Sequence, residues 1–216
     1  MSKQPDRNLS SEKYITANCA IDNGVVYVNG ASVFENKTAS ISEFLDKAYQ
    51  HFEIGYPKFY KMDNLSKLGV LGTDLLLKNN FNAHNYKPDE IGVVLMNASA
   101  SLDTDIKYYK TVNDIPSPAL FVYTLPNIMI GEICIKNNFK GENAFFVFKS
   151  FDGTFMARYV NNLFAENVIQ ACICGWAELL GENYKVVLYL VEKKQTNQSS
   201  LFNEENIKKM YRTNNG

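Results

Sequence analysis

Residues 116–178 read PSPALFVYTLPNIMIGEICIKNNFKGENAFFVFKSFDGTFMARYVNNLFAENVIQACICGWAE, and this stretch decides the fold. The apolar run Ala119 to Ile135 predicts a long buried helix that leads to a turn at Gly141. The aromatic segment Ala144 to Phe148 predicts a short strand climbing to Ser150. A second helix starts near Asp152, and Val168 to Gly175 predicts a buried strand. A strand that ends at a helix N-terminus leaves its last residue at the top of a sheet, faced by backbone N–H groups and the helix dipole. That residue is Ser150.

Outward from this stretch, the rest of the chain reads as alternating strands and helices. Tyr14 to Ile21 and Val25 to Val28 are β-rich runs joined by Asp22-Asn23-Gly24, a hairpin signal. Ser40-Ile41-Ser42-Glu43 predicts a helix start, and Phe44, Leu45, Ala48 and Phe52 carry the helical spacing to Gly55. Met62 to Asn79 predicts a second amphipathic helix despite Gly69 and Gly72. Ile91 to Met96 is continuously apolar, as for a strand covered on both faces. A short helix follows from Ser101 to Val112, and Tyr184 to Val191 predicts a last strand. The expected class is α/β, a mixed sheet with helices on both faces. The expected division is a flexible N-terminal arm over 1–12, one domain over 13–192, and a polar tail over 193–216 with at most one helix near Asn203 to Tyr211.

With 216 residues, 46% hydrophobic and 21% charged, the chain is long enough for a substantial core. A net charge of −1 carries no nucleic-acid footprint and no polybasic membrane patch. The N-terminus MSKQPDRNLSSEKY lacks an apolar signal core, and the longest apolar run is interrupted by Pro126, Asn127 and Glu132. Cys19, Cys134, Cys172 and Cys174 fit no zinc spacing and no CxxC motif, so no metal is expected. Free thiols point to a cytoplasmic protein.

The parts Pro126-Asn127, Gly141-Glu142, the aromatic strand, Ser150, the following helix and Gly175-Trp176-Ala177-Glu178 resemble the nucleophile region of the β-ketoacyl synthases of the thiolase superfamily. In that family a Pro- and Asn-containing helix leads to a Gly-Pro pair, a strand, an acylated cysteine, a helix, and a strand ending in small residues and an acid. Here Ser150 stands at the cysteine position, Glu142 replaces the proline of Gly-Pro, and Trp176 replaces a small residue. The resemblance implies the N-terminal half of a duplicated fold, a complete ketosynthase being roughly twice as long. The family's catalytic histidines belong to the other half. His51 and His84 stand elsewhere and read as solvated or structural.

What the resemblance implies is a non-catalytic subunit of the chain-length-factor type. Truncated subunits of this kind accompany ketosynthases of aryl-polyene and flexirubin-type pathways. Such a subunit pairs with an active ketosynthase, meets an acyl carrier protein transiently and shapes the acyl pocket. It needs no cofactor of its own, the phosphopantetheine-linked acyl group being carried by a partner. On this reading Phe121, Tyr123, Thr124, Leu125 and Asn127 lie near the acyl pocket, and Phe146 and Phe148 lie at a dimer interface. Read from the residues alone, Ser150 is a helix cap, a pocket-lining group or an acyl acceptor. The alternatives to the subunit reading are an acyltransferase or hydrolase-like enzyme using Ser150, and a homodimeric binding module. Glu132, an acid inside an apolar helix, requires a partner inside the fold or across an interface.

Overall fold

Asn23 and Gly24, at φ of 48° and 73°, close the two-residue turn between β1 (Tyr14–Asp22) and β2 (Val25–Val28). A turn with both central residues at positive φ matches the twist of the flanking strands, which is why Asn-Gly sits there. A second such turn, Asn29 and Gly30, leads into β3 (Ala31–Glu35), which pairs with β2. The sequence did not signal β3: four of its five residues are exposed, so it carries no apolar alternation. The computed structural model describes residues 12–213, so the expected arm falls outside them except for its last residue.

Ser40 caps α1 (Ile41–His51), its hydroxyl accepting from the Glu43 amide. Asp63 caps α2 (Asn64–Leu77) in the same way. The glycines of α2 are there for close packing: a Cβ on Gly69 would lie 2.5 Å from Met129 Sδ, and one on Gly72 would lie 3.2 Å from Leu188 and Val186. All seven residues of β4 (Ile91–Asn97) are buried, as a strand between two helix layers requires. α3 spans Leu102–Val112.

The long helix expected over 119–135 is broken. α4 (Pro118–Phe121) and a 3-10 turn (Val122–Thr124) end before Pro126, and α5 (Ile128–Asn137) leaves at 97° to them. Leu125, before the proline, is extended at φ −116° and ψ 119°, the conformation that proline imposes on its predecessor. No single helix among the described residues is long and apolar enough to cross a membrane.

After Gly141, β5 (Asn143–Val147) runs parallel to β4, and α6 (Gly153–Ala165) follows. Gly141 is required by close approach, since a Cβ there would sit 2.5 Å from the Ile91 carbonyl oxygen. β6 (Ala171–Leu180) also runs parallel to β4, and β7 (Asn183–Glu192) pairs antiparallel with both β6 and β1. The sheet order is β3-β2-β1-β7-β6-β4-β5, with the two-residue β8 (Ser200–Leu201) on β1, so β5 is an open edge.

One core lies between the sheet and α1, α2 and α5; a second lies between the sheet and α6 and α7 (Glu204–Thr213). The expected mixed α/β sheet with helices on both faces is therefore present. The 193–216 stretch contributes to it: Phe202 and Ile207 are buried, each worth about 2 kcal/mol of apolar burial, and Tyr189 donates to the Ile207 carbonyl at 3.0 Å. Outward, α6 and α7 show Thr154, Arg158, Asn162, Glu205, Lys209 and Arg212, a polar skin over that second core.

Candidate functional site

The C-terminal ends of the parallel strands β4, β5 and β6 meet at one rim of the sheet, the place where open α/β sheets carry their ligands. Buried Asn97, the last residue of β4, folds the next loop onto itself: its amide exchanges two 2.9 Å hydrogen bonds with the backbone of Ala100, which stands at φ 51°. Glu178 on β6 accepts from the Ala98 and Ser99 amides at 2.6 and 3.2 Å. The acid at the end of the strand thus clamps the loop after β4. Gly175 lets β6 press against β7 at this level, where a Cβ would meet the Val187 oxygen at 2.1 Å. Trp176 beside it is buried.

Ser150 lies in the turn between β5 and α6 and is exposed. It does not cap the helix. That role belongs to Asp152, whose carboxylate accepts from the Phe155 amide at 2.9 Å, two residues further on because the chain makes an extra turn before the helix begins. The carboxylate also neutralises the positive end of the helix dipole that an anionic intermediate would need.

Among the described residues the Ser150 hydroxyl has no hydrogen-bond partner and therefore no base. His84 is exposed in a 3-10 turn (Ala83–Asn85) before β4, at the opposite end of the sheet. His51 ends α1 on the other face, its ring against Phe34 and Phe52 at 5.0 and 4.9 Å. Burial pushes the Cys134 thiol up to about 11 and Cys19 to about 12 and raises Cys174, which makes these three poor nucleophiles, and Cys172 is shut inside the second core. No group of three or more His, Cys, Asp or Glu side chains among the described residues could hold a metal.

The turn is packed from the side of α7. Tyr211 stacks on Phe151 and stands edge-on to Trp176, and Lys208 donates to Thr154 at 3.0 Å in the first turn of α6. The sequence read 193–216 as polar and gave no sign of this contact. Phe146 on β5 and Phe148 just after it join Phe155 and Tyr159 in one aromatic cluster on the α6 face, so both are half-buried within this chain.

The residues expected at a pocket divide into two sets at the bend. Phe121 and Leu125 are 60% and 58% exposed, Asn127 is exposed, and Thr124 is half-buried with its carbonyl accepting from Ser101 at 2.8 Å. Tyr123 points inward and donates to Glu132 at 3.1 Å. The other carboxylate oxygen of Glu132 forms an ion pair with Lys58 at 2.7 Å without the geometry of a hydrogen bond, so the charge of this acid is compensated inside the fold. Cavities of 370 and 330 Å3 at the outer edge of β1 and beside the C-terminus of α5 touch neither Ser150 nor residues 121–127.

No family model and no curated protein matches this sequence. Solved structures do. The chain has half of a thiolase-type fold. It superposes on the ishigamide ketosynthase/chain length factor with a TM-score of 0.62 at 17% identity, covering 84% of this chain and 62% of that one. It also matches a type II polyketide ketosynthase solved with its acyl-carrier protein, with a TM-score of 0.59 at 12% identity, over 85% of this chain and 63% of that one. A third is the ketosynthase complex with its chain length factor from Xenorhabdus doucetiae, with a TM-score of 0.54, 13% identity, and coverage of 85% and 79%. The chain thus spans less than two thirds of the first two structures, and at these identities the likeness is one of fold.

Proposed function

We propose that this chain is a non-catalytic ketosynthase-like subunit of the chain-length-factor type. In this reading it pairs with an active ketosynthase in the cytoplasm and meets an acyl carrier protein only through that complex. It walls the end of the partner's acyl pocket in polyene, polyketide or fatty-acid-like biosynthesis, of which the aryl-polyene or flexirubin-type pathways are the form proposed here.

The observation that carries the reading is Ser150: it is exposed, has no hydrogen-bonded base among the described residues, and stands where the resemblance places an acylated cysteine. A hydroxyl in that state is a poor nucleophile at neutral pH. Two surfaces support pairing. The edge of β5 is open, and β4 hydrogen-bonds to Glu142 and Phe148 of that segment, so alternation turns the backbone groups of residues 143, 145 and 147 outward. The bend sets Phe121, Val122 and Leu125 side by side in solvent, an apolar group of the kind that interfaces cover.

The test is reconstitution with the ketosynthase and carrier protein encoded nearest to it. The expected result is a one-to-one complex and a product that lengthens by at least one extension unit on Phe121→Ala or Leu125→Ala. A chain that elutes only with itself supports a homodimeric module. Unaltered products from both variants in an intact complex contradict the wall role.

A further inference from the structure

Between residues 117 and 127 the chain has an inner and an outer row. The outer row is Phe121, Val122 and Leu125, all more than half exposed. The inner row is held by polar contacts as well as apolar packing. Tyr123 is 8% exposed and donates to Glu132, which is 5% exposed and paired with Lys58 from the turn between α1 and α2. Burial, and then the Glu132 charge, raise the Tyr123 phenol, so it remains a donor at any physiological pH.

An ion pair with one buried partner, Glu132, and one half-exposed, Lys58, is a weak source of stability, because desolvation of the acid and solvent screening of the lysine offset much of the attraction. What the phenol–carboxylate hydrogen bond supplies is direction, since it is satisfied only in a narrow geometry, while the Lys58 ammonium holds the carboxylate in place by charge. Apolar packing alone would let the 3-10 turn before Pro126 rotate, and each step would exchange inner and outer side chains.

We propose that Lys58, Glu132 and Tyr123 form a positioning latch that fixes which side chains of the 121–125 bend face outward. Resting on the wall reading above, the latch sets the depth at which Phe121 and Leu125 stop a partner's acyl chain. Lys58, distant in sequence from the bend, is then a determinant of product length.

Two measurements separate this from a merely structural role. In the isolated chain, Tyr123→Phe removes the hydrogen bond and Lys58→Met the ion pair, and hydrogen–deuterium exchange at amides 121–125 is expected to rise about tenfold while α2 is unchanged. Lys58→Arg is expected to restore protection. In the reconstituted pair the same two variants are expected to turn a single product length into a mixture, with overall turnover within about twofold. Lys58 has a side chain 43% exposed, so its replacement leaves the core intact. The latch is overturned if exchange at 121–125 does not change, or if it rises with no change in product lengths while Phe121→Ala still lengthens products. If Phe121→Ala is also silent, the wall reading itself has failed and the latch with it.

Discussion

Tyr211 lies nearly flat on Phe151, with ring centroids 4.3 Å apart and planes 19° from parallel, so the last helix of the chain covers the residue that follows Ser150. Lys185 adds a cation–π contact to the same tyrosine at 4.6 Å. Tyr211→Ala is expected to cost about 2 kcal/mol, from lost stacking, cation–π attraction and apolar burial together. For a chain of this length that lowers the thermal midpoint by about 4–8 °C. Trp176 emission, followed during the melt, reports the loosening directly. Tyr109→Ala, at a residue 71% exposed, should shift the midpoint by less than about 1 °C.

Two glycines predict opposite signs. Gly175, at φ 149° with the Val187 oxygen in the way, cannot accept a methyl group, and Gly175→Ala should cost more than about 3 kcal/mol or prevent soluble folding. Gly131, inside α5, has open space where a methyl group would stand, with nothing within 4 Å, and Gly131→Ala should gain about 0.5–1 kcal/mol from helix propensity. Urea midpoints of the two purified variants check both.

The exposed, baseless serine predicts chemical silence. Incubating the isolated chain with acyl carrier protein thioesters should leave its mass unchanged. Ser150→Cys should not confer condensation, because a thiol there would still have no histidine beside it. An acyl adduct on wild-type Ser150 would overturn the non-catalytic reading in favour of an acyltransferase.

The open edge of β5 can be closed selectively. Val147 turns its backbone N–H away from β4, so Val147→Pro removes an outward donor without breaking the β4–β5 ladder. Partner affinity should fall more than tenfold while the melting midpoint of the isolated chain moves by less than about 3 °C. Analytical ultracentrifugation of the mixed proteins, alongside a melt of the variant alone, tests the two halves of that statement.

Burial raises the Asp63 carboxyl above its ordinary value, opposed by bonds from the Ser66 amide and the Thr104 hydroxyl. A folded-state pKa above the unfolded one, about 3.9, means that the native chain binds more protons between the two values. This group's contribution therefore falls as pH rises through that window and is regained on acidification. Asp63→Asn keeps a capping side chain but cannot titrate. The urea midpoint of wild type should improve relative to the variant as pH is lowered from about 6 towards 4; a constant difference would remove Asp63 from the account.

Where local chemistry dictated structure, the sequence was readable. Asn23-Gly24 demanded a hairpin, Ser40 a helix start, and the unbroken apolar run from Ile91 a strand covered on both faces. Where tertiary contacts decided, it was not. The break at Pro126 was hidden because apolar residues continue on both sides of it, and the buried ones, Met129, Ile130 and Ile133, share a helix with the exposed Ile135. β3 was hidden by its exposure, and the packing of α7 by a sequence in which only Phe202, Ile207, Met210 and Tyr211 are apolar or aromatic enough to anchor it. At the site, Ser150 could be placed but its state could not. Asp152 took the cap, and Tyr123 turns inward to Glu132, which pairs with Lys58 from more than sixty residues before the tyrosine.

The polar skin over α6 and α7 has a consequence for how the protein is made. Because α7 packs its own residues over the α6 face, the described part of the chain can bury its second core without a second molecule. In the pairing proposed above, association would then be a reversible encounter between folded molecules, governed by their concentrations, and not a shared act of folding.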